Sequence, residues 1–378
     1  MIYFDNAATT EMSEVALKAL LEISSEMYGN PSAVYSIGRK NKEILEEARR
    51  IIASCIGAEP EEIYFTSGGT ESNNWAINQC YIGKKKVITS VIEHHAVLNP
   101  VENVLMNDIG VTFLPVDNKC MVIQDELTKV LDGAPVLVSI MMQNNETGVI
   151  QNIKKLAELV HEDNQDSIFH TDAVQAIGHI NIDVKDLGID MLSASAHKFN
   201  GPKGVGFLYV NKRCALNPFV LGGGQENGMR SGTENVAGIY SMAKALEDNV
   251  KNMKDIHERI STLDKKLIDM LDAKGIQFNI NGDSKNRAAG ILNLSINRID
   301  GEGMLNMLDM HDICISVGSA CNSNVKKRSY VLTAMGINEE QIDSSVRISL
   351  GRFNTEDEVE TLVKWIVKYH KITELVKV

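Results

Sequence analysis

Long apolar runs are missing from this chain. The most extended one, Ala134 to Met142, is broken by Ser139 and is far shorter than the roughly 20 residues a bilayer span requires, so no transmembrane helix is expected. Aromatic residues are scarce at 5%, and 38 Lys and Arg are outnumbered by 50 Asp and Glu, a formal net charge of −12 with neutral His. An acidic excess repels polyphosphate and anionic lipid headgroups, so no nucleic acid and no membrane is expected as a partner. Closely spaced cysteines are also lacking. Cys55, Cys80, Cys120, Cys214, Cys314 and Cys321 lie apart, with no zinc-type or redox-type pair and no disulfide-dense pattern, which leaves reduced thiols and no metal site as the expectation. The opening MIYFDNAATT has neither a basic region before an apolar core nor a small-residue cleavage site, so no signal peptide is expected and the cytoplasm is the expected compartment.

What the chain does have is length and core material: 378 residues, 44% of them hydrophobic, enough for at least one large buried core. Ile44, Leu45, Ala48, Ile51, Ile52 and Cys55 recur at three- and four-residue steps before Gly57, which predicts an amphipathic helix over 36–57. Short β-prone runs then alternate with helical stretches: EIYFT, helix 70–82, KVITS, helix 95–107, VTFLPV, helix 124–132, PVLVSIM, helix 152–162 and SIFHT. That alternation predicts an α/β fold with a mostly parallel sheet flanked by helices, and it directs attention to the loops after the strands. One long helical stretch is expected from Ala245 to Ala273, followed by the strand-like ILNLSI and a smaller α+β domain.

Three of those loops carry candidate chemistry. Phe65-Thr66-Ser67-Gly68-Gly69-Thr70 places small residues between a strand and a helix, where N–H groups and hydroxyls can hold an anion; a tight turn with a helix cap is the plainer reading. Asp172 follows SIFHT directly, as a partner for a protonated ring nitrogen or as a cap on AVQAIG. Ser195-Ala196-His197-Lys198 precedes a glycine-rich stretch and offers an amine able to condense with an aldehyde, although a lone lysine is usually just solvated. Together these suggest pyridoxal phosphate. His94 and His95 could supply a stacking ring or a base, or could be structural. Cys321 sits in a small-residue stretch with Lys326, Lys327 and Arg328 following, surroundings that favour a thiolate. Arg347 in VRISLGR could clamp a carboxylate or form a structural ion pair.

In order along the chain, YFDNAATT, GNPSAVYSIGR, FTSGGTESNN, EHHAVL, NNETG, DAVQAIG, SAHKFNGPKGVGFLY, GGGQENGMRSGTEN, SVGSAC and RISLGR resemble the cysteine desulfurases of the NifS/IscS type. These are pyridoxal-phosphate enzymes of the class-V aminotransferase group with the aspartate-aminotransferase-like fold (PLP fold type I). The resemblance implies a large cofactor-binding domain over 14–250 and a small domain from 1–13 with 251–378 that carries the catalytic cysteine. It implies that Lys198 holds the cofactor covalently, that Asp172 keeps its ring nitrogen protonated, that Gln175 bonds its phenolic oxygen and that His94 stacks on the ring and moves protons. Gly69, Thr70, Ser195 and His197 would bind phosphate, with Thr233 reaching the phosphate of a second subunit, hence a homodimer. Asn145 and Arg347 would fix the carboxylate of L-cysteine. Cys321 would take the substrate's sulfur as a persulfide, leaving alanine, and pass it to an acceptor protein such as an iron–sulfur scaffold. The chain departs from the usual family pattern at Tyr35, Ala196, Asn227 and Asn322. A selenocysteine lyase, an aminotransferase and a catalytically idle scaffold are the alternatives weighed; the last two fit less well, because transamination needs no thiol and a scaffold has no use for Lys198 with Asp172.

Overall fold

The structure is a computed structural model that describes residues 1–318 and 328–376. Its centre is a seven-stranded sheet in the order Ile63–Thr66, Gly206–Val210, Met191–Ser195, Ile168–Asp172, Val136–Ser139, Lys86–Ser90 and Val111–Leu114. The last five strands run parallel, and Gly206–Val210 is antiparallel to both of its neighbours. The strands Ile168–Asp172, Met191–Ser195 and Gly206–Val210 are buried at every position, as a sheet covered by helices on both faces demands. The pattern of alternating strands and helices therefore yields the expected architecture. Two strands, Met191–Ser195 and Gly206–Val210, lie beyond that alternation, because their connections are turns rather than helices.

Parallel strands place all their carboxyl ends on one edge. The chain leaves this edge at Ser90 toward His94, at Ser139 toward Asn145, at Asp172 itself and at Ser195 toward Lys198. Four sequence words far apart in the chain are thus brought together by topology alone.

The expected helix after Ser36 runs Ser36–Ile56, buries Leu45, Ala48, Ile52 and Ile56, and stops at Gly57, whose φ of 72° only glycine adopts readily. AVQAIG forms turns, not a helix, so Asp172 caps no helix there. The stretch 245–273 is also not one helix: Val236–Lys251 and Met253–Ala273 meet at Asn252. The Asn252 side chain donates to the Asp248 carbonyl at 2.9 Å and to its carboxylate at 2.8 Å, a local hydrogen-bonding alternative that lets Asn leave helical geometry.

A second core gathers Phe4 with apolar residues between Ile260 and Ile366. Its antiparallel sheet has the order Ser345–Ser349, Ile291–Ile296, Phe278–Ile280, and the helices Met253–Ala273 and Glu356–Val376 contribute to the same core. Ile2–Tyr3 pairs in parallel with Ile313–Cys314, tying the amino terminus to this core. Val331 and Leu332, by contrast, pack into the large core of the seven-stranded sheet. A strap joins the two cores: the Ile150 N–H donates to the Asn286 carbonyl (2.8 Å) and the Ala288 N–H to the Gly148 carbonyl (3.1 Å). Arg287 at its middle is ion-paired with buried Asp264 at 2.8 Å. Among the described residues no helix is long and apolar enough to cross a membrane.

Candidate active site

A cavity of about 480 Å³ opens at the carboxyl edge of the large sheet, where the second core meets it. Eleven of the thirteen candidate site residues from the sequence line it: Gly69, Thr70, His94, His95, Asn145, Asp172, Gln175, Ser195, His197, Lys198 and Arg347. Thr233 lies outside it on an exposed loop, and Cys321 falls outside the described residues.

Lys198 ends the 3-10 turn Ala196–Lys198 that follows the strand Met191–Ser195. Its Nζ donates to the carbonyls of Ala7 (2.6 Å) and Ala8 (2.8 Å). Burial lowers its pKa to about 8, aided by the Arg347 guanidinium and opposed by Asp5 and Asp172. An amine so placed has a sizeable neutral, nucleophilic fraction near physiological pH. Asp172 is 5% exposed and well supported: Asn73 Nδ2 donates to it at 2.7 Å and the Val174 N–H at 2.9 Å. Gln175 Nε2 donates to the same Ala7 carbonyl that Lys198 uses, at 2.8 Å.

The anion side is made by backbone. Gly68 has φ 150° and the helix Gly69–Asn78 starts with no side-chain cap, leaving its first N–H groups unclaimed by a side chain. A Cβ at Gly69 would lie 2.5 Å from Val174 Cγ2, and one at Gly206 would lie 2.4 Å from the Ala194 carbonyl and 2.7 Å from Gly68 Cα. The chain at 68–69 is therefore pressed against Ser195 and the strand beside it. His197 is pushed down to about 4, by burial first and then by Lys198 and Lys203, so its ring is neutral at pH 7. Its Nδ1 lies 3.1 Å from Thr9 Oγ1.

On the opposite wall Arg347 is 9% exposed, with Nη2 donating to Asp5 at 2.7 Å and Nη1 to the Asn145 carbonyl at 3.0 Å. Its Nε has no partner, and neither does Asn145 Oδ1. His94 caps the helix His95–Met106 by accepting the Ala96 N–H at Nδ1 (3.1 Å), and its pKa is lowered by burial against the pull of Asp172. Since Nδ1 accepts, the neutral ring carries its proton on Nε2. Glu93 next to it is completely buried and pushed up to about 8 by that burial; it accepts from Ser90 Oγ (2.6 Å) and the Met141 N–H (2.9 Å). Glu146, also buried, is raised for the same reason.

Asp5, Asn73, Gln143, Glu146 and Tyr330 line the cavity as well, and none was assigned a role from sequence. Asp5, Asn73 and Glu146 nevertheless stand inside the words YFDNAATT, FTSGGTESNN and NNETG. Of the departures, Tyr35 is 56% exposed just before the helix Ser36–Ile56 and makes no side-chain cap. Asn227 adopts φ 56°. The Ala196 methyl sits 2.9 Å from where a Cβ on Gly201 would be, so glycine at 201 makes room for it. Asn322 lies outside the described residues.

The cavity fits a cofactor with an aldehyde, a basic ring nitrogen and a phosphate. The amine of Lys198, the carboxylate of Asp172 and the uncapped glycine turn at Gly69 supply one complement each. Four cavity-lining side chains also keep buried polar atoms without protein partners: Asn73 Oδ1, Gln143 Oε1, Asn145 Oδ1 and Arg347 Nε. Six other such atoms are scattered over the described residues, whereas these four converge on one space, which suits it to a polar ligand.

A family-wide sequence profile described as aminotransferase class-V matches residues 2–362. The chain is 44% identical over 367 residues to the cysteine desulfurase IscS of Methanosarcina thermophila, covering 96% of this chain and 90% of that protein. It is 42% identical over 376 residues to the cysteine desulfurase IscS of Clostridium botulinum strain Hall, covering 98% and 94%. A solved NifS-like protein superposes with a TM-score of 0.91 at 35% identity, with 99% of each chain covered.

Proposed function

We propose a function from one premise: this chain belongs to the class-V aminotransferase family, and within it to the pyridoxal-phosphate-dependent cysteine desulfurases of the IscS/NifS type. Its reaction is the conversion of L-cysteine to L-alanine, with the sulfur delivered to Cys321 as a persulfide. In balance, the substrate's Cβ–S bond breaks and a Cβ–H bond forms, while the Cys321 Sγ–H is replaced by Sγ–S–H. The carbon skeleton is reduced as the transferred sulfur is oxidised, and no outside oxidant or reductant is needed.

When bound, the cofactor acts as an electron sink that makes the α-proton of the amino acid acidic and weakens the bond to the departing sulfur. Everything else falls to the chain. Lys198 would hold the aldehyde carbon, and its amine, which burial lowers to about 8 in the chain without cofactor, would be the base that removes and returns protons. Asp172, steadied by Asn73 and the Val174 N–H, would be the partner of the ring nitrogen. The Gly69–Thr70 turn, Ser195 and neutral His197 hold phosphate with uncharged donors. Arg347 would offer its unpartnered Nε–H to the substrate's carboxylate, with Asp5 fixing the guanidinium, and Asn145 could reach that carboxylate only through its amide N–H, since its unpartnered Oδ1 is an acceptor. His94 would stack on the ring, and while its Nδ1 caps the helix its neutral form donates from Nε2.

The observation that carries this reading is the convergence of Lys198 and Asp172 on one cavity whose wall includes Ser316, Val317 and Tyr330, the residues on both sides of the stretch bearing Cys321. Thr233 lies on an exposed loop outside its own cavity, a position suited to contacting a second copy, so we read the working unit as a homodimer. Sulfur-accepting proteins such as an iron–sulfur scaffold are the partners this chemistry serves. The test is to give the purified holoenzyme L-cysteine, L-selenocysteine and L-cystine separately, then to measure alanine and the intact mass. Alanine with a gain of one sulfur on wild type but not on Cys321→Ser is expected from L-cysteine. Alanine from L-selenocysteine alone would replace the reading with a selenocysteine lyase.

A further inference from the structure

The described chain on either side of the Cys321 stretch is fastened by contacts that the reaction itself does not require. Ser329, 1% exposed, donates its hydroxyl proton to the Glu146 carboxylate and accepts the Leu332 N–H at 3.1 Å. Its two hydrogen-bonding directions are thus both committed. On the other side of the stretch, Gly318 is packed against the same pair: a Cβ there would lie 2.9 Å from Ser329 Cβ and 3.0 Å from Glu146 Oε2. Only a residue without a side chain lets the two chain ends approach the carboxylate this closely. Glu146 is itself immobilised, since its N–H donates to Asn144 Oδ1 (2.9 Å) and its carbonyl accepts from Asn293 Nδ2 (3.3 Å). One residue further on, the Tyr330 hydroxyl donates to the Glu93 carbonyl at 2.6 Å and the ring meets His95 edge-on, centroids 5.0 Å apart. Both fastenings land on immediate chain neighbours of site residues: Glu146 follows Asn145, and Glu93 precedes His94.

We propose that Glu146 is a positioning residue for sulfur transfer, which through Ser329 and Gly318 joins the two ends of the Cys321-bearing stretch at the cavity wall. The inference rests on the desulfurase reading and deepens it. Gly318 and Ser329, with ten residues between them in sequence, are thereby fixed at one carboxylate, and a tethered nucleophile reacts faster when the ends of its tether are fixed. The polar bond must sit in a buried place to do this, because in water the hydroxyl and the carboxylate would each be satisfied without the other. Cofactor binding does not depend on it, as Lys198, Asp172 and the Gly69 turn have their own supports.

The experiment compares holoenzyme of wild type with Glu146→Ala, Glu146→Gln, Ser329→Ala and the Glu146→Ala/Ser329→Ala double variant. Single-turnover persulfide formation on Cys321, the KM for L-cysteine and the cofactor's visible spectrum are read on each. Glu146→Ala and Ser329→Ala are expected to slow persulfide formation by about ten- to a hundredfold with KM and spectrum unchanged, a scale set by the cost of small misplacements of a reacting group. Glu146→Gln keeps an acceptor for Ser329 and should recover most of the rate. The double variant should be no slower than either single one, as expected when both act through one bond. In cofactor-free protein, amide exchange at 316–318 and 330–334 should quicken in both alanine variants. Additive losses, a raised KM, an altered spectrum, or alanine variants as fast as wild type would overturn the positioning role. Wild type that forms neither alanine nor persulfide would instead remove the desulfurase reading, so the two failures are told apart.

Discussion

Lys198 has a chemistry set by its surroundings rather than by its type. With its folded pKa lowered to about 8 from 10.5, the amine is charged in both folded and unfolded chains below pH 8, and burying that charge costs stability. Between pH 8 and 10.5 the folded chain has released the proton while the unfolded chain still holds it, so stability rises with pH across that window. Urea unfolding of the cofactor-free protein at pH 7.5 and 9.5 should show this increment in wild type and its loss in Lys198→Met; equal pH responses would show the amine to be unperturbed. Asp172 was legible in the sequence because it closes the strand-like SIFHT at the sheet edge where ligands bind, and Lys198 because SAHK runs straight into a glycine-rich stretch. Asp5 and Asn73 were not, since their value lies in contacts with Arg347, 342 residues away, and with Asp172, 99 residues away. No local pattern encodes such separations. Glu146 was hidden for the same reason, its partner Ser329 being 183 residues distant.

At the scale of elements, the turn at Gly68–Gly69 depends on the strand next to it as much as on its own glycines. Gly206 pairs with both Thr66 and Ser195, and a methyl there would drive into the Ala194 carbonyl and the backbone of Gly68. Gly206→Ala should destabilise the protein by about 1–3 kcal/mol, the usual cost of overpacking. It should also blunt the rise in Tm that inorganic phosphate gives the cofactor-free wild type. A variant that loses stability but keeps the full phosphate response would separate the strand from the anion site. Periodicity located the helices and strands between Ser36 and Asp172 to within a few residues, but gave no sign of the helices Glu14–Glu26 and Glu356–Val376 or of the strands Met191–Ser195, Gly206–Val210 and Ser345–Ser349. It failed at AVQAIG, where the chain turns instead of coiling, and over 245–273, where one asparagine's side chain outweighs a continuous helical pattern.

For the whole molecule, the cavity exists only because two cores meet: Lys198, Asp172 and His94 come from the large sheet, while Arg347 lies on the strand Ser345–Ser349 of the second. The strap at 148–150 and 286–288 holds them in register, and its Arg287–Asp264 pair is nearly dehydrated, with side chains 10% and 5% exposed. Arg287→Met strips Asp264 of its cation and should cost about 3–5 kcal/mol in urea unfolding, whereas adding Asp264→Leu should restore most of it, because a buried charge is costly chiefly when unpaired. A single variant as stable as wild type would show the strap to be dispensable.

Asn252 stands alone between Val236–Lys251, whose apolar face lies in the first core, and Met253–Ala273, whose face lies in the second. A crossing of one peptide holds no slack. Tilt of the later helix is resisted by torsion at that residue and by the 148–150 strap, so the span from Arg347 on the second core to Lys198 and Asn145 on the first is bridged with little give.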